Sequence, residues 1–467
     1  MRIFRHFVHL PMLVLALFET LALLCIPFLA GHLRFSQPDD ALILANYLAE
    51  VWPRALIFTA VMLTCLVATG LYNIRLRASF LGTLLRVGAS ISAGAAALVL
   101  IFYGLSLLEF LGRGILALMT GLAFVLVAVI RYLFMRIVDE DLFKRRVLVF
   151  GCGWQAKSIA QLRRRSDQRG FVIVGYMATN GEKCVVPPER VVKPAGSLLD
   201  FGRAHRIDEI VVAMDDRRLA FPVQDLLECR LSGIEVVDLV SFLERETGKV
   251  RLDVLNPSWM IFGEGFRRDP VRLASERAFD VLAGACLLAV SWPLMLLTAL
   301  AIKLEDGWSA PVLYRQTRVG FEGRHFNVLK FRSMSIDAEQ DGQARWAQQR
   351  DPRATRVGAV IRKIRFDELP QVINVLRGDM SFVGPRPERP EFVDELNEQI
   401  PYYRERHYVK PGITGWAQLC YPYGSSTHDA AEKLQYDLYY VKNHSLLFDL
   451  MILLQTAEVV LWGKGGR

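Results

Sequence analysis

Hydrophobic positions are unevenly spread along the 467 residues of the chain. Before Arg136 they gather into four almost unbroken stretches, roughly 8–30, 55–72, 87–108 and 115–130. Each approaches the ~20 apolar residues with which a helix crosses the hydrocarbon of a bilayer, so residues 1–136 predict a four-helix transmembrane bundle. Glu19 inside the first stretch would be costly against lipid and is expected to face another helix. Beyond Arg136 the pattern changes. Short apolar runs at 147–150, 171–176, 209–214 and 234–237 alternate with helix-spaced segments at 157–164, 198–205 and 223–231. That alternation predicts an α/β, Rossmann-like domain with a parallel sheet over 146–262.

The apolar pattern returns at 281–302, with 22 consecutive uncharged positions. Its length allows a fifth crossing, but its flanks oppose one. Arg267, Arg268, Arg272 and Arg277 precede it, and Lys303, Arg315, Arg318, Arg324 and Lys330 follow. Either direction of crossing would export a strongly basic flank. Trp292-Pro293 stands at its middle, where proline removes a helical hydrogen bond and the neighbouring Ser291 can satisfy the freed carbonyl. A re-entrant helix at about 278–303, broken there and leaving on the side it entered, is the expectation. The last apolar stretch, 445–462, is interrupted by Asp449 and Glu458 and reads as an interfacial helix.

Composition agrees with a membrane protein: 52% hydrophobic residues, a mean hydropathy of +0.25 and a net charge of +8. Basic residues before the first stretch (Arg2, Arg5), between the second and third (Arg75, Arg77, Arg86) and after the fourth (Lys144, Arg145, Arg146) put those segments, and all later soluble parts, in the cytoplasm. The first stretch has the basic start and apolar run of a signal peptide. No small-residue cleavage site follows it and three further spans do, so it reads as an anchor. Seven scattered cysteines (Cys25, Cys65, Cys152, Cys184, Cys229, Cys286, Cys420), none in a CxxC pair, predict neither a disulfide framework nor a zinc site. The histidines have no ligand spacing.

In the middle section Gly151-Cys152-Gly153-Trp154-Gln155-Ala156 follows a strand as a GxGxxA turn does. Such a turn can place a pyrophosphate on a helix amino terminus. The acidic residue expected after the second strand is missing from Tyr176-Met177-Ala178-Thr179-Asn180, and no Tyr-x-x-x-Lys follows. The glycines are therefore read as permitting a tight turn.

Chemistry concentrates between Pro311 and Arg389, where 15 Lys and Arg stand against 9 Asp and Glu. A patch for anionic lipid head groups would explain the charge alone. Three blocks interleave those cations with glycine, proline and a carboxylate pair: Lys330-Phe331-Arg332-Ser333-Met334, then Arg362-Lys363-Ile364-Arg365-Phe366-Asp367-Glu368-Leu369-Pro370-Gln371, then Gly378-Asp379-Met380-Ser381-Phe382-Val383-Gly384-Pro385-Arg386-Pro387. Asp367-Glu368-Leu369-Pro370 has the grammar of a helix start, with Asp367 as a cap. A carboxylate held ionised there by nearby arginines can instead bind Mg²⁺ or act as a nucleophile.

These blocks, with Lys410-Pro411-Gly412-Ile413-Thr414-Gly415-Trp416-Ala417-Gln418 after them, occur in the order found in the bacterial sugar transferases. Residues 272–467 resemble that family, the monotopic polyprenyl-phosphate phosphoglycosyltransferases. The whole layout is similar to its long, exopolysaccharide-type members. Its length and compact first loop are similar to those associated with PEP-CTERM and exosortase systems.

The resemblance implies transfer of a sugar 1-phosphate from a UDP-sugar to polyprenyl phosphate at the bacterial inner membrane, with Mg²⁺ and an aspartyl intermediate. Asp367 would be the nucleophile and a metal ligand. Glu368 would support the metal and position or deprotonate the acceptor. Lys330, Arg332, Arg362, Gln371, Arg386 and Arg318 would bind phosphates and nucleotide, while Arg277, Trp292 and Pro293 fall on the re-entrant helix. Membrane lipids are implied partners and nucleic acid is not; a homodimer is compatible with the layout. The chain departs from the family in having Arg365 where Ser or Thr is usual, and Trp292-Pro293 where Ser-Pro is usual; the first removes a cap hydrogen bond. Two other readings stay open. A membrane-tethered nucleotide-sugar dehydratase or epimerase would carry bound NAD and survive Asp367→Asn, and a non-enzymatic scaffold of an export complex would release no UMP.

Overall fold

A computed structural model describes residues 2–3, 6–7, 10–69, 71–72, 80–104, 112–137, 144–162, 170–179, 182–193, 196–216, 221–255, 257–262, 265–266, 269–335, 353–421, 424 and 426–461. Arg5, Arg75, Arg77, Asn180, Arg267 and Arg268, and residues 8–9, 70, 105–108, 163–164 and 462 of the stretches named above, lie outside them. The chain divides into two compact units that meet in sequence at Thr247 and Gly248.

The first unit opens with α1 (Leu10–Arg34), α2 (Ala41–Ala49), α3 (Val51–Ala68), α4 (Phe80–Val99) and α5 (Arg113–Ile137). Helix α1 packs on α3 and α5, and α4 on the same two. Leu23, Ile26, Phe58, Met62, Val87 and Met119 are buried between them while other apolar side chains, Leu17, Phe18 and Leu85 among them, face outward. Apolar residues on both the inside and the outside are what a helix bundle in lipid requires. Glu19 is fully buried and does meet another helix: Arg131 of α5 lies 2.7 Å away and Tyr72 donates to it. Arg86, counted above as a loop cation, sits inside α4 instead, buried, with Nη1 on Thr69 O at 2.9 Å.

The α/β part carries β1 (Arg145–Phe150), α6 (Trp154–Ala160), β2 (Phe171–Met177), β3 (Val191–Val192), α7 (Leu198–Ala204), β4 (Glu209–Val212), α8 (Val223–Leu231), β5 (Glu235–Asp238) and α9 (Leu239–Thr247). The five strands form one parallel sheet in the order β3-β2-β1-β4-β5. Val147, Leu148 and Val149 are all inaccessible although they alternate sides, as expected of a central strand covered on both faces.

The second unit takes in Gly248 onward. Residues 248–262, grouped above with the middle section, pack here: Val250 lies in the core and Gly248 O accepts from Trp416 Nε1. After α10 (Pro257–Phe262) comes α11 (Pro270–Asp306), 37 residues without interruption. The break expected at Trp292-Pro293 is not seen. The helix continues through Pro293, and Ser291 contacts Met295 Sδ at 3.7 Å, not a freed carbonyl. With α11, five helices of the described residues are long and apolar enough to cross a membrane. Both ends of α11 pack on its own unit. Arg277 donates to the carbonyls of Val375 and Leu376, Asp280 accepts from Phe382 N, and Ile302 shares a cluster with Phe331 and Ile361.

Around α11 are the antiparallel pair β6 (Leu313–Val319) and β7 (His325–Phe331), then α12 (Arg356–Lys363), α13 (Gln371–Arg377) and β8 (Ser381–Val383). They are followed by α14 (Pro390–Gln399), β9 (Gly412–Thr414), α15 (Trp416–Cys420), α16 (Thr427–Asn443) and α17 (Leu446–Leu461). Strands β8 and β9 pair in parallel. Val328, Val372, Val375, Met380, Phe382, Trp416 and Tyr439 make the core, into which α17 turns Phe448 and Ile452 while Leu446, Leu447 and Leu450 stay outside.

Candidate active site

The carboxylate pair lies on a single 3₁₀ turn, Phe366–Glu368, between α12 and α13. Phe366 and Leu369 anchor that turn against the cluster of Ile302, Phe331 and Ile361, which leaves Asp367 and Glu368 to the polar side. Arg365, just before it, has φ 62° in the left-handed region and makes no side-chain cap. A branched-chain-free but non-glycine residue held there stores backbone strain of order 1 kcal/mol beside the pair. Asp367 is not the helix cap its sequence context suggested; Pro370 occupies the cap position of α13.

Glu368 is held by two cations from distant segments. Lys330 Nζ, at the end of β7, lies 2.8 Å from Oε1, and Arg386 Nη2, in the loop after β8, lies 3.1 Å from the same oxygen. Burial works against the carboxylate, but Lys330 and Arg386 outweigh it and hold Glu368 far below the usual carboxylate range. The same ion pair raises the Arg386 guanidinium.

Asp367 moves the other way. Burial, then the adjacent charge of Glu368, raise its carboxyl, against the pull of Lys330, Arg365 and Arg362. Its Oδ1 is buried with no hydrogen-bond partner among the described residues. An orphaned carboxylate oxygen beside fixed cations suits either a nucleophile or a ligand to a hard cation, which takes one or two carboxylates and completes its shell with phosphate and water oxygens. Among the described residues no group of three or more His, Cys, Asp or Glu is gathered as a metal site; at the carboxylate pair it is the orphaned Asp367 Oδ1 whose chemistry fits a hard cation.

Of the remaining sequence-chosen residues, Arg362 is close enough to act electrostatically on Asp367. Arg318 borders the site through Pro387 O at 3.1 Å and Glu388 at 3.5 Å. Arg332 is buried and paired with Asp306 at the end of α11, with Nε and Nη1 unpartnered among the described residues. Gln371 is buried at the start of α13. Arg277 serves the carboxy-terminal carbonyls of α13, and Trp292 and Pro293 are exposed on α11. Gln418, which meets Arg386 Nη1 at 3.5 Å, and Arg406, which donates to Arg386 O at 3.0 Å, were not singled out from sequence. Both orient the arginine that holds Glu368.

The glycine turn of the first unit has a different filling. The amides of Trp154 and Gln155 donate to Asp215 at 2.9 and 2.7 Å, and those of Cys152 and Asp215 donate to Glu182 at 3.0 and 2.9 Å. A Cβ on Gly153 would lie 2.2 Å from Asp215 Oδ2, so glycine here admits the protein's own carboxylate. Contrary to the cysteine reading, Cys152 is disulfide-bonded to Cys184, their Cα atoms 4.7 Å apart, which ties the segment carrying Glu182 to the turn.

Comparison with known proteins agrees with the second unit's motifs. Residues 271–463 match the family model described as bacterial sugar transferase, and residues 67–220 match one described as a CoA-binding domain. The residues at the glycine turn do not fit a pyrophosphate-bearing cofactor, because its amides already serve Asp215 and Glu182. Among relatives, a UDP-N-acetylgalactosamine-undecaprenyl-phosphate N-acetylgalactosaminephosphotransferase of Aeromonas hydrophila is 39% identical over 70% of this chain and 75% of its own length. An undecaprenyl-phosphate glucose phosphotransferase of Komagataeibacter xylinus is 34% identical over 68% of this chain and 60% of its own. A UDP-glucose:undecaprenyl-phosphate glucose-1-phosphate transferase of Xanthomonas campestris pv. campestris is 31% identical over 68% and 67%. Likeness at that level along most of a relative, together with blocks that converge on one carboxylate pair, means that the chain belongs to the bacterial sugar transferase family.

Proposed function

We propose that this protein transfers a sugar 1-phosphate from a UDP-sugar to undecaprenyl phosphate, releasing UMP and starting the assembly of a lipid-linked exopolysaccharide or capsule. The observation that carries the reading is the unpartnered, buried Oδ1 of Asp367 beside a Glu368 fixed by Lys330 and Arg386. An Asp367 oxygen attacks the β-phosphorus, and the bond from that phosphorus to the bridging oxygen breaks so that UMP leaves with the electron pair. A phosphate oxygen of the acceptor then attacks the same phosphorus and frees the carboxylate. Lys330 and Arg386, preorganised by Glu368, offset charge on the phosphoryl oxygens. Glu368, paired with Lys330 at 2.8 Å and Arg386 at 3.1 Å, positions both cations. Mg²⁺ held by Asp367 and Glu368 would add charge neutralisation at the diphosphate.

In this reading α1, α3, α4 and α5 span the inner membrane, the soluble parts are cytoplasmic, and the unbroken α11 lies in the inner leaflet with both of its ends on the cytoplasmic side. Support for the last point is that Arg277 and Ile302, about 38 Å apart along a straight helix, both pack on the same unit. The test is UMP release by the purified protein in lipid nanodiscs with Mg²⁺ and a panel of UDP-sugars. Without acceptor, wild type should release up to one UMP per active site and Asp367→Asn none. Wild-type turnover by Asp367→Asn would overturn the mechanism.

A further inference from the structure

The two cations on Glu368 come from segments that share no strand pairing, so their convergence needs a common support. Asn374, fully buried on α13, stands where the segments meet. The sheet of β6 and β7 has only two strands, which leaves one edge of β7 open. Asn374 completes that edge with its side chain. Its Oδ1 accepts from Leu329 N at 3.0 Å and its Nδ2 donates to Asn327 O at 2.8 Å, the pair of bonds a third strand would have made. Lys330 is the next residue of β7.

The backbone of Asn374 holds the other segment. Its carbonyl accepts from Gly378 N at 3.0 Å and Asp379 N at 3.1 Å, and Nδ2 also reaches Asp379 Oδ2 at 3.4 Å. This turn feeds β8 and the Gly384-Pro385-Arg386 loop. Glu368 itself lies six residues before Asn374, one short turn from α13. A buried amide with both ends satisfied fixes three segments with little freedom left.

We infer that Asn374 is a positioning residue of the reaction: it clamps the strand bearing Lys330 and the turn leading to Arg386 onto α13, so that both cations reach one oxygen of Glu368. The inference rests on the function proposed above. Asparagine is required because the edge of β7 offers one donor and one acceptor two residues apart. Aspartate of the same shape would face Asn327 O with a second acceptor, and leucine would leave both groups unpaired in the core.

The test uses Asn374→Asp in the full-length protein in nanodiscs. Loss of register of about 1 Å at a reacting centre costs about 100-fold in rate, so kcat for UMP release should fall 10- to 100-fold, with KM for the UDP-sugar changing much less. A cycle with Glu368→Gln supplies the readout a merely structural role would not move. If Asn374 acts through the cations on Glu368, the double variant is no slower than Glu368→Gln alone, whereas multiplying effects overturn the inference. Lysine acylation followed by peptide mapping reads the position of Lys330 without turnover: it should label faster in Asn374→Asp, and unchanged labelling overturns the clamp. Should wild type release no UMP, the proposed function fails, and the labelling result still decides the role of Asn374. If Asn374→Asp does not fold, Asn374→Gln, whose amide is one methylene too long, is labelled with the same two outcomes.

Discussion

Gly415 offers a way to move the active site without touching any charged residue. Its backbone is extended at φ −165°, a conformation open to every residue, so only space excludes a side chain. An alanine Cβ would lie 2.1 Å from Gly384 O, whereas carbon and carbonyl oxygen rest at about 3.3 Å or more. The chains must therefore part by roughly 1 Å. Gly384 N is bonded to Thr414 O at 2.9 Å, immediately before Pro385 and Arg386, so the displacement is passed to the arginine. Its 3.1 Å contact with Glu368 would stretch to about 4 Å, where an ion pair contributes little. Overpacking of this kind costs about 1–3 kcal/mol of stability, and misplacement of about 1 Å costs on the order of 100-fold in rate. UMP release at saturating UDP-sugar, with thermal unfolding alongside, measures both. Gly121→Ala on α5, where a Cβ meets nothing within 4 Å, is the control and should behave as wild type. Wild-type turnover by Gly415→Ala would refute the idea that the β8–β9 approach sets the height of Arg386.

Three further outcomes follow from the geometry. Removing either partner of the buried Glu19–Arg131 pair should cost about 3–5 kcal/mol, while Glu19→Leu with Arg131→Met should recover most of it; thermal unfolding in nanodiscs reads this, and additive losses would contradict it. Asp367 acts ionised and its carboxyl is raised, so turnover should fall with pH already above the usual carboxylate range; Glu368→Gln removes a like charge, so the acid limb of its residual activity should move to lower pH, and a move upward would count against the assignment. Cys152 and Cys184, 32 residues apart, should appear linked in a non-reducing peptide map, and Cys184→Ser should lose up to about 3–4 kcal/mol on chain-entropy grounds; free alkylation of both in unreduced protein would exclude the bond.

What was legible in the sequence was whatever burial writes into local pattern. Val147 to Val149 read as a strand of a parallel sheet because burial on both faces leaves an unbroken apolar run. Lys330, Asp367, Glu368 and Arg386 were readable because their chemistry is carried by compact blocks, and the structure brings all four together. Features made by distant contacts were not. Arg332 pairs with Asp306, 26 positions earlier, a contact that no local pattern announces. Asn374 sits between apolar residues with nothing local to mark it, since its partners are the backbone of a strand 45 residues away. The same holds for Cys152 and Cys184, joined between the segments that follow β1 and β2, and for Glu182, which lies five residues beyond β2 and still reaches the glycine turn. Pro293 misled in the opposite sense: the local rule for proline is sound, but α11 tolerates the missing bond and runs on.

The anchoring of Phe366 and Leu369 against the cluster that includes Ile302 ties the carboxylate turn mechanically to the last turns of α11. If α11 rides in the inner leaflet as proposed, its depth and the elevation of Asp367 above the lipid become one variable. Leaflet thickness would then tune turnover: thinner lipids would lift the carboxylates off the head-group plane and thicker ones would draw them down, at fractions of a kcal/mol per Å of mismatch. The enzyme would read membrane thickness as a rate.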